Sequence, residues 1–173
     1  MLRTYGFDAA AVLNGGWSKW VAENRPESDA PPDYPRAVFE PRMRPDLMAS
    51  RMRVLEAVEQ GNATLINSLS PEEHTGTTSR FPRAGRIRGS VNVFCQHLVN
   101  PDTHEYLSVD ELARTFALAG VDPAKPAITY CGAGIAASSD ALALSVLGFE
   151  NIAVYDGSLS EWTADPDLPM ETG

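Results

Sequence analysis

Apolar positions recur along this chain in two periods, and the periods alternate. From Pro45 to Gln60, the apolar residues Leu47, Met48, Met52, Leu55 and Val58 follow a helical spacing that Gly61 ends. The run Thr64-Leu65-Ile66-Asn67 predicts a short buried strand, and Val91-Asn92-Val93 predicts another. Ser108-Val109-Asp110-Glu111 is a capping-box pattern that opens a helix, and Gly120 closes it. Pro126 to Tyr130 reads as a strand, Ile135 to Leu147 as a helix closed by Gly148, and Ile152 to Tyr155 as a strand. Glu72 and Glu73 follow Ser70-Pro71 and suit the first turn of a helix better than a catalytic acid and base. Buried strands alternating with helices predict an α/β fold, with a central, mostly parallel sheet of about five strands and helices on both faces.

The first 45 residues break this rhythm. Prolines are dense between Pro26 and Pro45, which stiffens the chain and forbids helix or central strand, so 26–45 reads as an interdomain linker. Gly6-Phe7-Asp8 through Trp20 reappears, without gaps and at a constant offset of 142 residues, as Gly148-Phe149-Glu150 through Trp162. Each copy predicts a strand, a tight turn and a short helix ending in Trp. An offset near one domain length makes residues 1–25 the expected end of an upstream domain, with 46–173 as the main domain. Trp17, Trp20 and Trp162 recur at repeat positions and are expected to pack rather than stack on a ligand.

Composition narrows the function. Of 173 residues, 43% are hydrophobic and 21% charged, as in ordinary globular proteins. No stretch approaches the roughly 20 apolar residues that cross a bilayer, and the first residues lack a signal-peptide pattern, so a cytoplasmic location is expected. The net charge of −9 opposes a sequence-independent grip on nucleic acid, but it leaves small anions open as ligands, since local fields can oppose the total. Arginines gather at 36–53 and at 80–88. His74, His97 and His104 have no metal-ligand spacing and are expected at the surface, so neither metal nor cofactor is expected. Two cysteines make no disulfide framework. Cys95 lies in an apolar run and reads as an inert thiol.

Cys131 has a different setting. Cys131-Gly132-Ala133-Gly134-Ile135-Ala136-Ala137 joins a predicted strand to a predicted helix, at the sheet edge where open α/β proteins bind ligands. The amides of such a loop and of the first helical turn favour a thiolate, and its glycines let several N–H groups face one sulfur. A nucleophile activated by backbone dipoles follows, with no neighbouring base.

The same loop is similar to the C-x-x-G-x-[T/R] active-site loop of rhodanese-family sulfurtransferases. Leu65 to Gly76 resembles the family's L-V-D-A-R-S-P-E-E-Y-x-G, Gly85 to Val93 resembles G-H-I-P-G-A-V-N-V, and Asp156 to Trp162 resembles D-G-S-W-x-E-W. The resemblance runs from about Phe39 onward, and Val12 to Trp20 matches the end of a preceding repeat. It implies a rhodanese-like fold and a tandem arrangement, with an upstream rhodanese-like domain or a partner chain facing the site. Cys131 would take sulfur from thiosulfate or 3-mercaptopyruvate as a persulfide and pass it to cyanide or a thiol. Gly132, Ala133, Gly134, Ile135, Ala136 and Ala137 would form the sulfur's cradle, and Arg80, Arg83 and Arg86 lie where the family places cations for the donor.

Several positions depart from the family pattern. The loop is uncharged, nearer to the C-G-S-G-V-T of mercaptopyruvate enzymes, but Ala133 and Ala136 replace its hydroxyl residues. Asn67 and Leu69 replace an Asp and an Arg, and Leu159 replaces a Trp. The cradle is kept while donor-recognition groups are thinned. Two other readings remain open: a non-catalytic rhodanese-like binding domain, and a dinucleotide site on Gly132-x-Gly134-x-x-Ala137 with Asp156 after the next strand.

Overall fold

The computed structural model describes residues 1–173. Its helices are α1 (Gly16–Ala22), α2 (Arg51–Gln60), α3 (Pro71–Thr75), α4 (Val109–Leu118), α5 (Ile135–Val146) and α6 (Ser158–Trp162). Its strands are β1 (Thr64–Asn67), β2 (Arg86–Ile87), β3 (Val91–Asn92), β4 (Ala127–Tyr130), β5 (Ile152–Val154) and β6 (Met170–Glu171). No helix is long and apolar enough to cross a membrane.

Four strands form one parallel sheet in the order β3-β1-β4-β5, and β2 pairs with β6 antiparallel outside it. Side chains alternate across this sheet as a pleat requires. On one face Leu65, Ile128, Tyr130 and Ala153 join Val54 and Ala57 of α2 with Leu159 and Trp162 of α6. On the other face Ile66, Ala127 and Ile152 join Leu112 and Phe116 of α4 with Ala143 and Leu144 of α5. The sheet is therefore covered on both sides, which accounts for its unbroken apolar strands.

The expected sheet of about five strands has four, and its fifth place is a single parallel bridge between Met48 and Val154. Met48 is extended, and the amide of Ala49 donates to the Val154 carbonyl at 2.9 Å. This pairing shortens the predicted 45–60 helix. Pro45–Leu47 is a single 3-10 turn, and α2 starts only after Ser50, whose hydroxyl accepts from the Arg53 amide at 3.3 Å. The capping box at Ser108 is present, with Glu111 Oε2 3.0 Å from the Ser108 amide. Glu72 and Glu73 occupy the first turn of α3.

In the second copy of the repeat, β5 leads into α6. In the first, residues 8–13 form no strand, and Leu13 and Trp17 are 57% and 62% exposed, against 1% for their counterparts Tyr155 and Leu159. The helices nevertheless start at equivalent residues, Gly16 and Ser158, both with positive φ. Residues 25–44 contain no helix or strand.

Candidate functional site

β4 is central in the sheet and ends at Tyr130, so Cys131 emerges at the carboxyl edge between β1 and β5. The side chain of Cys131 is buried, with only 3% of the residue exposed. α5 begins four residues later. Gly134, its N-terminal flanking residue, has φ +79°, and a Cβ there would collide with the Asp156 carboxylate, so no other residue fits this turn. A Cβ on Gly132 would come within 2.9 Å of the Phe81 ring, which lies against the loop.

Ser158 fixes the loop from beneath. Its hydroxyl oxygen accepts from the Cys131 amide at 3.0 Å and from the Gly134 amide at 3.2 Å, and it donates to the Tyr155 carbonyl at 2.7 Å. Ser158 is fully buried and holds φ at +49°, a conformation a serine adopts only when its surroundings fix it. The amides of Leu159 and Ser160 donate to the carbonyls of Cys131 and Gly132, each at 3.0 Å, and the Ser160 hydroxyl adds a bond to Gly132 at 2.6 Å. The start of α6 and the Cys131 loop thus form one bonded unit.

Two loop amides, those of Cys131 and Gly134, are consumed by Ser158. The amides of Gly132, Ala133, Ile135, Ala136 and Ala137 donate to no acceptor within the protein. They lie in one turn and in the first turn of α5, where unpaired backbone N–H groups carry partial positive charge. Residues 131–137 carry no charged side chain. Ala133 and Ile135 are exposed, and Ala137 is buried against the core.

The three arginines separate. Arg83 donates to the carbonyls of Asp165 and Leu168, both at 2.8 Å. Arg86 binds Glu171 at 2.9 Å and the Gly173 carbonyl at 2.6 Å. Both tie the C-terminal segment to the domain. Arg80 is the exposed one: its guanidinium meets Glu73 at 3.0 Å and stands 5.6 Å above the Phe81 ring, the ring that abuts Gly132.

Two titratable side chains have a buried atom without a partner. His74, expected at the surface, is half-buried. Its Nδ1 has no partner, and burial, aided by Arg86, pulls it down to about 4. Asp140 of α5 is fully buried with one oxygen unpartnered, and desolvation pushes it up to about 8. Residue-by-residue reading passed over Ser158 and Asp140. Ser158 lies in the Asp156–Trp162 segment that resembles a family motif, with no role assigned to its side chain; Asp140 has a weak signal, a lone acid on an apolar helix face.

A family described as Rhodanese-like domain matches residues 51–165. The chain is 34% identical over 180 residues to thiosulfate sulfurtransferase of Rattus norvegicus, covering 100% of this chain and 60% of that protein. It is 33% identical over 175 residues to 3-mercaptopyruvate sulfurtransferase of Escherichia coli (strain K12), covering 99% and 61%. Among solved structures, EanB in complex with ergothioneine covalently linked with a persulfide cysteine superposes with a TM-score of 0.88 at 25% identity, covering 99% of this chain and 43% of that one. The chain thus spans about three-fifths of the curated relatives it matches, 60% and 61% of their lengths.

Proposed function

The chain belongs to the rhodanese-like family, and on that premise we propose that it is a sulfurtransferase whose sulfur is carried on Cys131. The observation that carries this reading is the Cys131 loop itself: one buried cysteine just past the carboxyl end of a parallel strand, followed by a turn whose backbone amides have no acceptors. In the proposed cycle the Cys131 thiolate attacks the outer sulfur of thiosulfate. The S–S bond of the donor breaks, sulfite leaves with the bonding pair, and Cys131 holds a persulfide. Cyanide or a thiolate then attacks the outer sulfur, and Cys131 leaves as thiolate. With 3-mercaptopyruvate as donor the leaving group is the pyruvate enolate, which takes up a proton. Both half-reactions keep one negative charge near the cradle, where preorganised amides stabilise it in a water-poor site.

Thiosulfate and 3-mercaptopyruvate both end in an anionic group, and both fit this reading as donors. The cradle holds the sulfur, and Arg80 receives the donor's anionic end from the rim, at the ring that touches Gly132. Arg83 and Arg86 support the frame. Steady-state sulfur transfer to cyanide, compared for the two donors, tests the assignment. Turnover with thiosulfate or 3-mercaptopyruvate that is absent in Cys131→Ser is expected; equal rates in Cys131→Ser would contradict it.

Residues 1–25 belong, in the same proposal, to a second rhodanese-like unit in this chain or a partner. The exposure of Leu13 and Trp17 against buried Tyr155 and Leu159 supports this. Hydrogen exchange over 10–22 in the intact protein tests it: protection is expected, and rapid exchange would contradict it.

A further inference from the structure

Asp140 lies outside everything assigned so far. It sits on α5, and its Oδ2 accepts from the Ser68 hydroxyl at 2.7 Å, while Oδ1 is buried with no partner. Ser68 continues β1, the strand next to β4: its amide donates to the Tyr130 carbonyl at 2.9 Å, and its carbonyl accepts from the Cys95 amide at 3.2 Å. Cys95, Ser68 and Cys131 therefore stand side by side at one sheet edge. The Asp140–Ser68 bond reaches from the helix that starts in the Cys131 loop to the middle of that row.

We propose that Asp140 is a positioning residue of the sulfur site, a neutral buried carboxyl that ties α5 to β1 behind the Cys131 loop and keeps negative charge away from the cradle. This inference rests on the sulfur-carrier reading of Cys131. A full carboxylate at this place has one hydrogen bond to set against complete desolvation, so the neutral acid is the stable form at neutral pH. The charge, once formed, would act on the reacting sulfur. The Ser68 hydroxyl that Asp140 holds belongs to a residue whose backbone is bonded on one side to Tyr130, the residue before Cys131, and on the other to Cys95, so the charge would sit one hydrogen bond from that row. In a poorly solvated interior such a charge is weakly screened.

The surroundings contain little else to compensate it. α5 has no other charged side chain between Ile135 and Val146. β5 presents only apolar groups, and the Tyr130 hydroxyl of β4 is turned away to Ser90 and the Ile87 amide. The turn Cys95–Leu98 adds Cys95 and an exposed His97, which meets Phe94 edge-on. Tyr106, its hydroxyl 2.7 Å from that of Ser139, is itself pushed up by burial. Arg3 and Asp8 line a separate cleft with Ser138 and Ala141, and Asp8 is engaged by Arg44. No cation faces Asp140 from these elements.

Coupling of this kind is reciprocal. In this proposal an ionised Asp140 and a persulfide anion on Cys131, both negative, disfavour each other. The test compares the wild type with Asp140→Asn, which is neutral at every pH and keeps an acceptor for Ser68, and with Ser68→Ala. Two rates are followed from about pH 6 to about pH 9.5, spanning the ordinary cysteine range: alkylation of Cys131 by iodoacetamide, and single-turnover loading from thiosulfate. The expected result is that the Asp140→Asn to wild-type ratio rises severalfold across that span, while in Ser68→Ala the divergence moves to higher pH. Superimposable alkylation profiles for all three proteins would overturn the inference. Diverging alkylation with no sulfur loading in any of them would uphold the electrostatic tie and overturn the sulfur-carrier reading instead.

Discussion

Ser158 holds Cys131 by its backbone, not by its thiol: the serine hydroxyl lies 3.0 Å from the Cys131 amide nitrogen and 3.2 Å from that of Gly134. One side chain, at the first residue of α6 and four residues past β5, thereby sets the shape of the loop after β4. In the proposed cycle the sulfur is left to the remaining amides, and a rigid cradle is what makes such amides effective.

Removing that hydroxyl leaves two amides and the Tyr155 carbonyl unsatisfied. Ser158→Ala is expected to lose at least about 3 kcal/mol of stability, because three groups lose a partner at about 1–3 kcal/mol each. It is also expected to slow sulfur loading by at least about tenfold. Ser158→Gly accepts the +49° φ without strain, so it should lose less stability while losing loading to the same extent. Denaturant midpoints and persulfide formation in both variants check this; a Ser158→Gly protein that loads at the wild-type rate would contradict it.

Arg80 and Arg83 should separate by readout. Arg80→Ala is expected to raise KM for thiosulfate about five- to tenfold with kcat little changed, consistent with an exposed ionic contact worth about 1 kcal/mol. The rise should shrink at high salt. Arg83→Ala breaks two 2.8 Å bonds to Asp165 and Leu168 and should instead cost about 1–3 kcal/mol of stability with KM unchanged. Steady-state kinetics and melts on both variants decide it.

His74 predicts an acid-side loss of stability. Its folded value, about 4, lies below the ordinary 6.5, so the unfolded chain binds more protons between those values. Stability present above about pH 6.5 is therefore lost progressively as pH falls toward 4. His74→Gln should flatten this window and leave the lower acid limb, where Asp8, Glu72 and Glu111 are held below their ordinary values by hydrogen bonds, in place. Denaturant midpoints across the acid range measure both limbs.

The parts of the chain that could be read directly were those whose signal is local. Apolar runs at Leu65-Ile66 and Ala127-Ile128 need both sheet faces covered, and the structure covers them. Ser108 with Glu111 fixes a helix start by itself. The Cys131 loop was legible because glycine spacing after a strand dictates backbone geometry. What stayed hidden depends on partners far along the chain. Met48 pairs with Val154, and this converts a predicted helical turn into an edge bridge. Arg83 and Arg86 find acceptors more than 80 residues away, at Asp165 and Glu171, which no spacing rule reveals. Ser158 and Asp140 act across the fold on the loop and on Ser68, 24 to 72 residues distant in sequence. The β2–β6 pair is two residues long on each side and has no periodicity to detect.

Covalent sulfur on Cys131 is tested most directly by mass spectrometry of the intact protein after brief exposure to thiosulfate or 3-mercaptopyruvate. One added sulfur is predicted, mapped to the peptide containing Cys131, absent in Cys131→Ser, retained in Cys95→Ser and discharged by cyanide. No added sulfur from either donor, or a sulfur that persists in Cys131→Ser, would contradict it.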